Sequence, residues 1–193
     1  MARNVEFNRN EVLENAMETF WRKGYSMTSI PNLVEATKLN PGSIYAAFNS
    51  KEGLFLETLN FYGQRSLNTL QQTIAEADSP LTGIKNFCTA LVSKCTDDEP
   101  RGCLLVNTLL ELSSHNPTIQ AQANKQLKAI EAELYNALKE AQKSGELPKS
   151  ADPKALSKYL MVNIWGLRVL AKTKPIKQDT KLVLEQILAT LNG

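Results

Sequence analysis

Residues 28–55, TSIPNLVEATKLNPGSIYAAFNSKEGLF, decide the fold. They read as two short helices joined by a tight turn, then the capped start of a longer helix. Thr28 is placed to cap the first short helix, and Pro31 sits in its first turn, where a missing N–H does no harm. Ile30, Leu33 and Val34 form its inner face. The turn runs through Thr37-Lys38-Leu39. Asn40 caps the second short helix and Pro41 opens it. That helix carries Gly42, Ser43, Ala46 and Ala47 outside and Ile44 and Phe48 inside. Small residues outside and large ones inside suit a helix that lies close against another surface. This is the pattern of a helix-turn-helix, whose second helix enters the DNA major groove.

Working outward, every long periodic segment predicts a helix. Asn8 caps a first helix, with Glu11 three residues on as a capping-box partner. Val12, Leu13, Ala16, Met17 and Phe20 form its apolar stripe, and Gly24 stops it. Ser50 caps a fourth helix, expected over 51–77. Further helices are expected over 81–94, 103–112, 118–144, 153–171 and 178–191, separated by Asp-Ser-Pro, Asn-Pro, Gly and Asp-Pro signals. The run 96–102, TDDEPRG, is a loop by composition. No strand pattern or internal repeat occurs. The expected fold is all-α with about nine helices: a three-helix helix-turn-helix domain at 1–50, then a six-helix body at 51–193.

Composition narrows the function. The chain has 193 residues and 42% hydrophobic residues, enough for a core. No window approaches about 18 uninterrupted apolar residues, and the N-terminal stretch lacks the apolar core of a signal peptide. A cytoplasmic protein is the expectation. With three cysteines, no C-x-x-C spacing and one histidine, His115, neither a disulfide framework nor a metal centre is expected, and no cofactor. The absence of a Gly-rich loop and of a nucleophile–base motif disfavours an enzyme. Net charge is only +2, so any DNA affinity must come from locally placed cations and backbone amides.

These residues resemble the TetR family of bacterial transcriptional repressors. The likeness rests on Phe20, Gly24, Tyr25 and Thr28, then Ile30, Leu33 and Val34. It continues through Pro41-Gly42-Ser43-Ile44-Tyr45 with Phe48, and Ser50-Lys51-Glu52 with Leu54 and Phe55. The segment 102–107, GCLLVN, is similar to a subgroup of the family. Lys38 stands where the family often has Gly, at a cost of about 1 kcal/mol if the backbone there is left-handed. Ala47 stands where it often has an aromatic. The resemblance implies a homodimer that binds a pseudo-palindromic double-stranded DNA operator and is released by an unidentified small molecule.

On the DNA side, Thr28, Tyr45 and Lys51 are candidate phosphate contacts, and Pro41, Gly42, Ser43 and Ala46 face base edges. Lys51 is notable because a cation in a first helical turn opposes the helix dipole, which suggests an anion nearby. A solvated lysine is the plainer account. On the effector side, Phe61, Phe87, Leu91, Met161 and Trp165 are candidate lining residues, with Asn107, Thr108 and Glu111 as polar anchors. Most apolar residues at helical spacing are simply core. Cys103 follows Arg101-Gly102 at an expected helix start, where a guanidinium and the helix dipole would both lower its pKa. It is either a reactive sensor of thiol-directed signals or a small packed residue; Cys88 and Cys95 read as packing. Leu156, Tyr159, Leu160, Asn163, Leu167, Val183, Ile187 and Leu191 are the candidate dimer contacts, with an intramolecular core as the competing account. An activator on the same scaffold, or a helical interaction module without DNA binding, are the alternative readings.

Overall fold

The computed structural model describes residues 7–93 and 101–191. Expectations for the N-terminal residues 1–6, for Lys94 and Cys95 and for the loop over 96–100 lie outside them. Nine helices occur among the described residues: α1 Arg9–Lys23, α2 Ile30–Thr37, α3 Pro41–Phe48, α4 Lys51–Ala75, α5 Pro80–Ser93, α6 Leu104–Leu112, α7 Pro117–Lys143, α8 Pro153–Leu170 and α9 Lys177–Ala189. A single 3-10 turn, Ala171–Thr173, follows α8.

Local chemistry sets most boundaries. The Asn8 side chain accepts the N–H groups of Asn10 and Glu11 at 3.1 and 3.3 Å, closing the open end of α1. Gly24 ends the helix at φ +79°, and its N–H returns to the Phe20 carbonyl at 2.8 Å. Helix α2 starts one residue later than its sequence signal. Ser29, not Thr28, is its cap: Ser29 Oγ accepts from Asn32 N–H, and Asn32 Oδ1 accepts from Ser29 N–H. Thr28 is buried instead. Asn40 caps α3 through Ser43 N–H at 2.8 Å, and Asp152 caps α8 through Lys154 N–H at 2.9 Å.

The turn between α2 and α3 is left-handed, with Lys38 at φ 61°. A lysine there bears the steric penalty that a glycine would avoid. Between α3 and α4 the chain reverses through Asn49, at φ 65°, and Ser50 Oγ accepts from Gly53 N–H at 2.9 Å. A Cβ on Gly53 would lie 2.0 Å from the Phe48 carbonyl oxygen, so this reversal requires glycine.

The chain forms two compact units. One takes residues up to Gln64 together with Leu104–Gln126; the other takes Arg65–Cys103 with the chain from Leu127 onward. The boundary expected at residue 50 falls inside the first unit. Three short helices cannot enclose their own core, so the first unit borrows from α4, α6 and α7. The Phe55 ring lies 4.7 Å from Phe20 and 4.8 Å from Tyr25, and Trp21 meets Tyr62 edge-on at 5.1 Å. Burying one such aromatic contributes about 1.5–3 kcal/mol. Asn116 donates to Glu52 at 2.9 Å and Gln126 to Asn60 at 2.9 Å.

In the second unit α5 packs on α8 and α9, and α8 on α9. Glu146, in the loop before α8, accepts from Ser79 Oγ–H, from Ser144 Oγ–H at 2.7 Å and from Leu81 N–H at 3.2 Å, fixing the start of α5. The interface residues expected on α8 and α9 divide. Leu160, Leu167, Ile187 and Leu191 are buried within their own unit and are core, a correction forced by their lack of accessible surface. Leu156 and Asn163 are partly buried, and Tyr159 and Val183 are exposed. Val162, Val169 and Leu182, outside the expected set, are exposed as well.

Two substitutions test the turns. Lys38→Gly should raise stability by about 1 kcal/mol, seen as a melting point about 2–4 °C higher in calorimetry. Gly53→Ala should lower stability by about 1–3 kcal/mol, because the obstructing atom is backbone. A neutral Gly53→Ala variant in urea unfolding would contradict the geometry at this reversal.

Candidate nucleic-acid interface

Helix α3 presents the surface that its sequence pattern foretells. Ile44 and Phe48 are buried, while Pro41, Gly42, Tyr45 and Ala46 are exposed and Ser43 and Ala47 are partly so. Tyr45 keeps 47% of its surface accessible, so its phenol stands free at one edge of an otherwise small-residue face. A groove backbone can approach such a helix closely, with Ser43 and Tyr45 as its hydroxyl donors.

The two other expected phosphate contacts are placed differently. Thr28 is almost wholly buried, and its hydroxyl donates to the Gly24 carbonyl at 2.6 Å. The hydroxyl that reaches the exposed start of α2 belongs to Ser29, which the one-residue offset of the cap conceals in the sequence. Lys51 Nζ turns inward and donates to the carbonyls of Tyr25 and Thr28 at 2.9 and 2.8 Å, lying 4.2 Å from the Tyr25 ring centre. Its acceptors here are neutral backbone carbonyls. Burial pulls its ammonium below the usual lysine range, and the Glu111 charge opposes that pull. Arg9 is also committed: it pairs with Glu57 at 2.6 Å and lies 4.5 Å from the Phe48 ring centre.

Glu111 was expected to anchor a ligand. Its two oxygens instead accept from Tyr25 N–H at 3.1 Å and Ser26 N–H at 2.7 Å. No local sequence signal marks this partnership, because the residues are 86 and 85 positions apart. Burial alone would raise the Glu111 pKa. The hydrogen bonds from Ser26 and Tyr25 and the Lys51 charge outweigh it and hold the carboxyl below the usual range.

Two family models match the chain: one described as "Bacterial regulatory proteins, tetR family" over residues 12–58, and one as "Tetracyclin repressor-like, C-terminal domain" over 80–186. The chain belongs to the TetR family. It is accordingly a DNA-binding transcriptional regulator and not an enzyme. Among its TetR-family relatives, the repressor ComR of Escherichia coli is 32% identical over 86% of this chain and 80% of that protein. A cysteine-substituted form of the TetR-family regulator CifR, solved with 26-base-pair operator DNA, is 30% identical. It has a TM-score of 0.76, covering 95% of this chain and 96% of that one. A regulator from Cytophaga hutchinsonii shares the fold at TM-score 0.83 and 19% identity, covering 96% of each chain.

The expected effector residues fall in both units. Phe61, Asn107, Thr108 and Glu111 belong to the first, and Phe87, Leu91, Cys103, Met161 and Trp165 to the second. Thr108 is buried and donates to the Leu104 carbonyl at 2.8 Å, so its hydroxyl serves its own helix. Trp165 Nε1 is the buried side-chain polar atom without a hydrogen-bond partner among the described residues. Cys88 is packed, and burial pushes its thiol up to about 12, which removes it as a nucleophile at neutral pH. Cys103 is partly exposed. The groove between α4 and α7 in the first unit measures about 790 Å³ and is lined by Leu56, Asn60, Thr118, Gln122 and Lys125, none of them an expected ligand residue. No helix among the described residues is long and apolar enough to cross a membrane.

Because the folded Glu111 pKa is depressed, its stabilisation is complete above the unfolded value, about 4.3. It is lost as pH falls through the lower folded value. Wild type should therefore lose stability more steeply than Glu111→Gln below about pH 4.3. Parallel acid limbs in urea unfolding would refute this assignment.

Proposed function

We propose that this chain is a homodimeric cytoplasmic repressor that holds a pseudo-palindromic operator through α3 and releases it when a small effector binds. The observation that carries the reading is the outer face of α3, small throughout except for the exposed Tyr45. The likeness to ComR, a repressor, and to CifR with its operator supports it. Pro41, Gly42, Ser43 and Ala46 approach the base edges, and Tyr45 and Ser29 reach phosphates. With no guanidinium or amide on this face, base discrimination comes from methyl contacts, one Ser43 hydrogen bond and DNA shape.

Dimerisation would use the exposed apolar strip of α8 and α9, Tyr159, Val162 and Val169 with Leu182 and Val183, flanked by the partly buried Leu156 and Asn163. A two-fold axis there would set two copies of α3 about 34–36 Å apart, one turn of DNA. The effector would meet Trp165, whose unpaired indole N–H calls for an acceptor, with Met161, Phe87 and Leu91 as apolar wall. It must bind the DNA-incompetent state more tightly, since equal affinity shifts nothing. A thiol-directed signal at the partly exposed Cys103 is the second route to release.

The test is in vitro selection of operator DNA, followed by anisotropy titration and sedimentation. A palindromic consensus bound by a dimer is expected, with Tyr45→Phe weaker by about tenfold and Ser43→Ala relaxed in base preference. A monomer at micromolar concentration, or no selected sequence, would sink the reading. Diamide should release the operator from wild type and not from Cys103→Ser; equal release would end the thiol route.

A further inference from the structure

The turn from Gly24 to Thr28 lies between the end of α1 and the cap of α2. Within it Gly24 N–H reaches the Phe20 carbonyl and Thr28 N–H the Tyr25 carbonyl at 3.3 Å. Two side chains distant in sequence bond four of its backbone groups. Glu111, on α6, takes the N–H groups of Tyr25 and Ser26; Lys51, on the first turn of α4, gives to the carbonyls of Tyr25 and Thr28. The carboxylate sits hard against the turn: a Cβ on Gly24 would come within 2.9 Å of Glu111 Oε2. Ser29, the cap of α2, follows at once, and α2 packs on α3.

We infer that Glu111 and Lys51 form a positioning lock that fixes the α1–α2 turn and through it the angle at which α3 is offered to DNA. The inference rests on the operator-binding reading above. Neither residue touches the nucleic acid. Glu111 has both oxygens occupied, so it is no ligand anchor. The Lys51 ammonium is aimed at the protein's own carbonyls, so it is no phosphate clamp. Removing Glu111 takes the acceptor from the Tyr25 and Ser26 amides, and removing Lys51 takes the donor from the Thr28 carbonyl, so α2 and α3 lose their fixed direction together. Helix α6 thereby has a direct hold on the reading head in addition to that of α4.

The lock predicts a sign that simple electrostatics does not. Glu111→Gln makes the protein more positive, which by charge alone would tighten DNA binding; the lock requires it to weaken. Operator affinity of the full-length protein would be measured across a salt series for Lys51→Met, Glu111→Gln and the double variant. Amide hydrogen exchange would be followed on the free proteins. Each single variant should lose about tenfold in affinity, the double variant should be no weaker than the worse single, and the salt slope should not change. Tyr25 and Ser26 amides should exchange faster in Glu111→Gln, while α5 amides stay protected. A salt slope reduced by about 2 in Lys51→Met, for one phosphate in each of two protomers, would overturn the lock. So would higher or unchanged affinity in Glu111→Gln, multiplicative losses in the double variant, or unaltered exchange at residues 25 and 26. Failure of wild type to select any DNA would fell the operator reading itself. Wild-type binding with unaffected variants would fell the lock alone.

Discussion

Unpaired backbone at the turn after α1 is the constraint on which the reading head depends. A sharp change of direction strips amides and carbonyls of their helical partners, and near a buried core these groups cannot be left without any. The chain meets the need with charged side chains. Glu111 and Lys51 supply an acceptor and a donor to one short turn from two different helices. The helices up to residue 48 thus draw partners from beyond residue 50. The aromatic core is completed by Phe55 and the polar turn by α6, and the first unit runs to Gln64 and takes in 104–126.

The second unit solves the same problem with one residue. Glu146 gathers two hydroxyls and the Leu81 amide where α5 begins. Hydrogen bonds from those donors hold its carboxyl below the usual range against the opposing effect of burial. In both units an acidic side chain from a remote segment braces a helix junction beside its local cap, Ser29 at α2 and Ser79 at α5. The starts of α1, α3 and α8 are capped by local side chains, Asn8, Asn40 and Asp152.

This division explains what was legible in the sequence. Caps and stops act over three or four residues, so the helices fall within one to two residues of their expected ends, and the left-handed Lys38 is found where the turn demands it. The outer face of α3 was legible for the same reason, since eight residues suffice to fix its periodicity. Thr28 and Ser29 are both good caps, and spacing alone does not choose between them; burial of Thr28 does. The direction of Lys51 depends on carbonyls 23 and 26 positions away, beyond any local signal. Helix α8 is apolar nearly all round, so periodicity does not reveal which side is core. Leu160 and Leu167 proved to be inside, and Tyr159, Val162 and Val169 outside.

The same contacts bear on how the protein can read DNA. A net charge of +2 leaves little long-range attraction, and two of the cations nearest α3 are spent within the fold. Arg9 ties α1 to α4 through Glu57, and Lys51 ties α4 to the turn. What remains on the outer face of α3 is small side chains and two hydroxyls. Such a face gains energy only when backbone and methyl groups meet the groove at close range, because dispersion falls away within about an ångström of contact. A reader rich in arginine tolerates an error of angle, since flexible guanidinium groups can still reach their bases. A reader built from Gly42, Ser43 and Ala46 has no such reach. Its recognition depends on the orientation of α3, and that orientation is only as firm as the turn beneath α2.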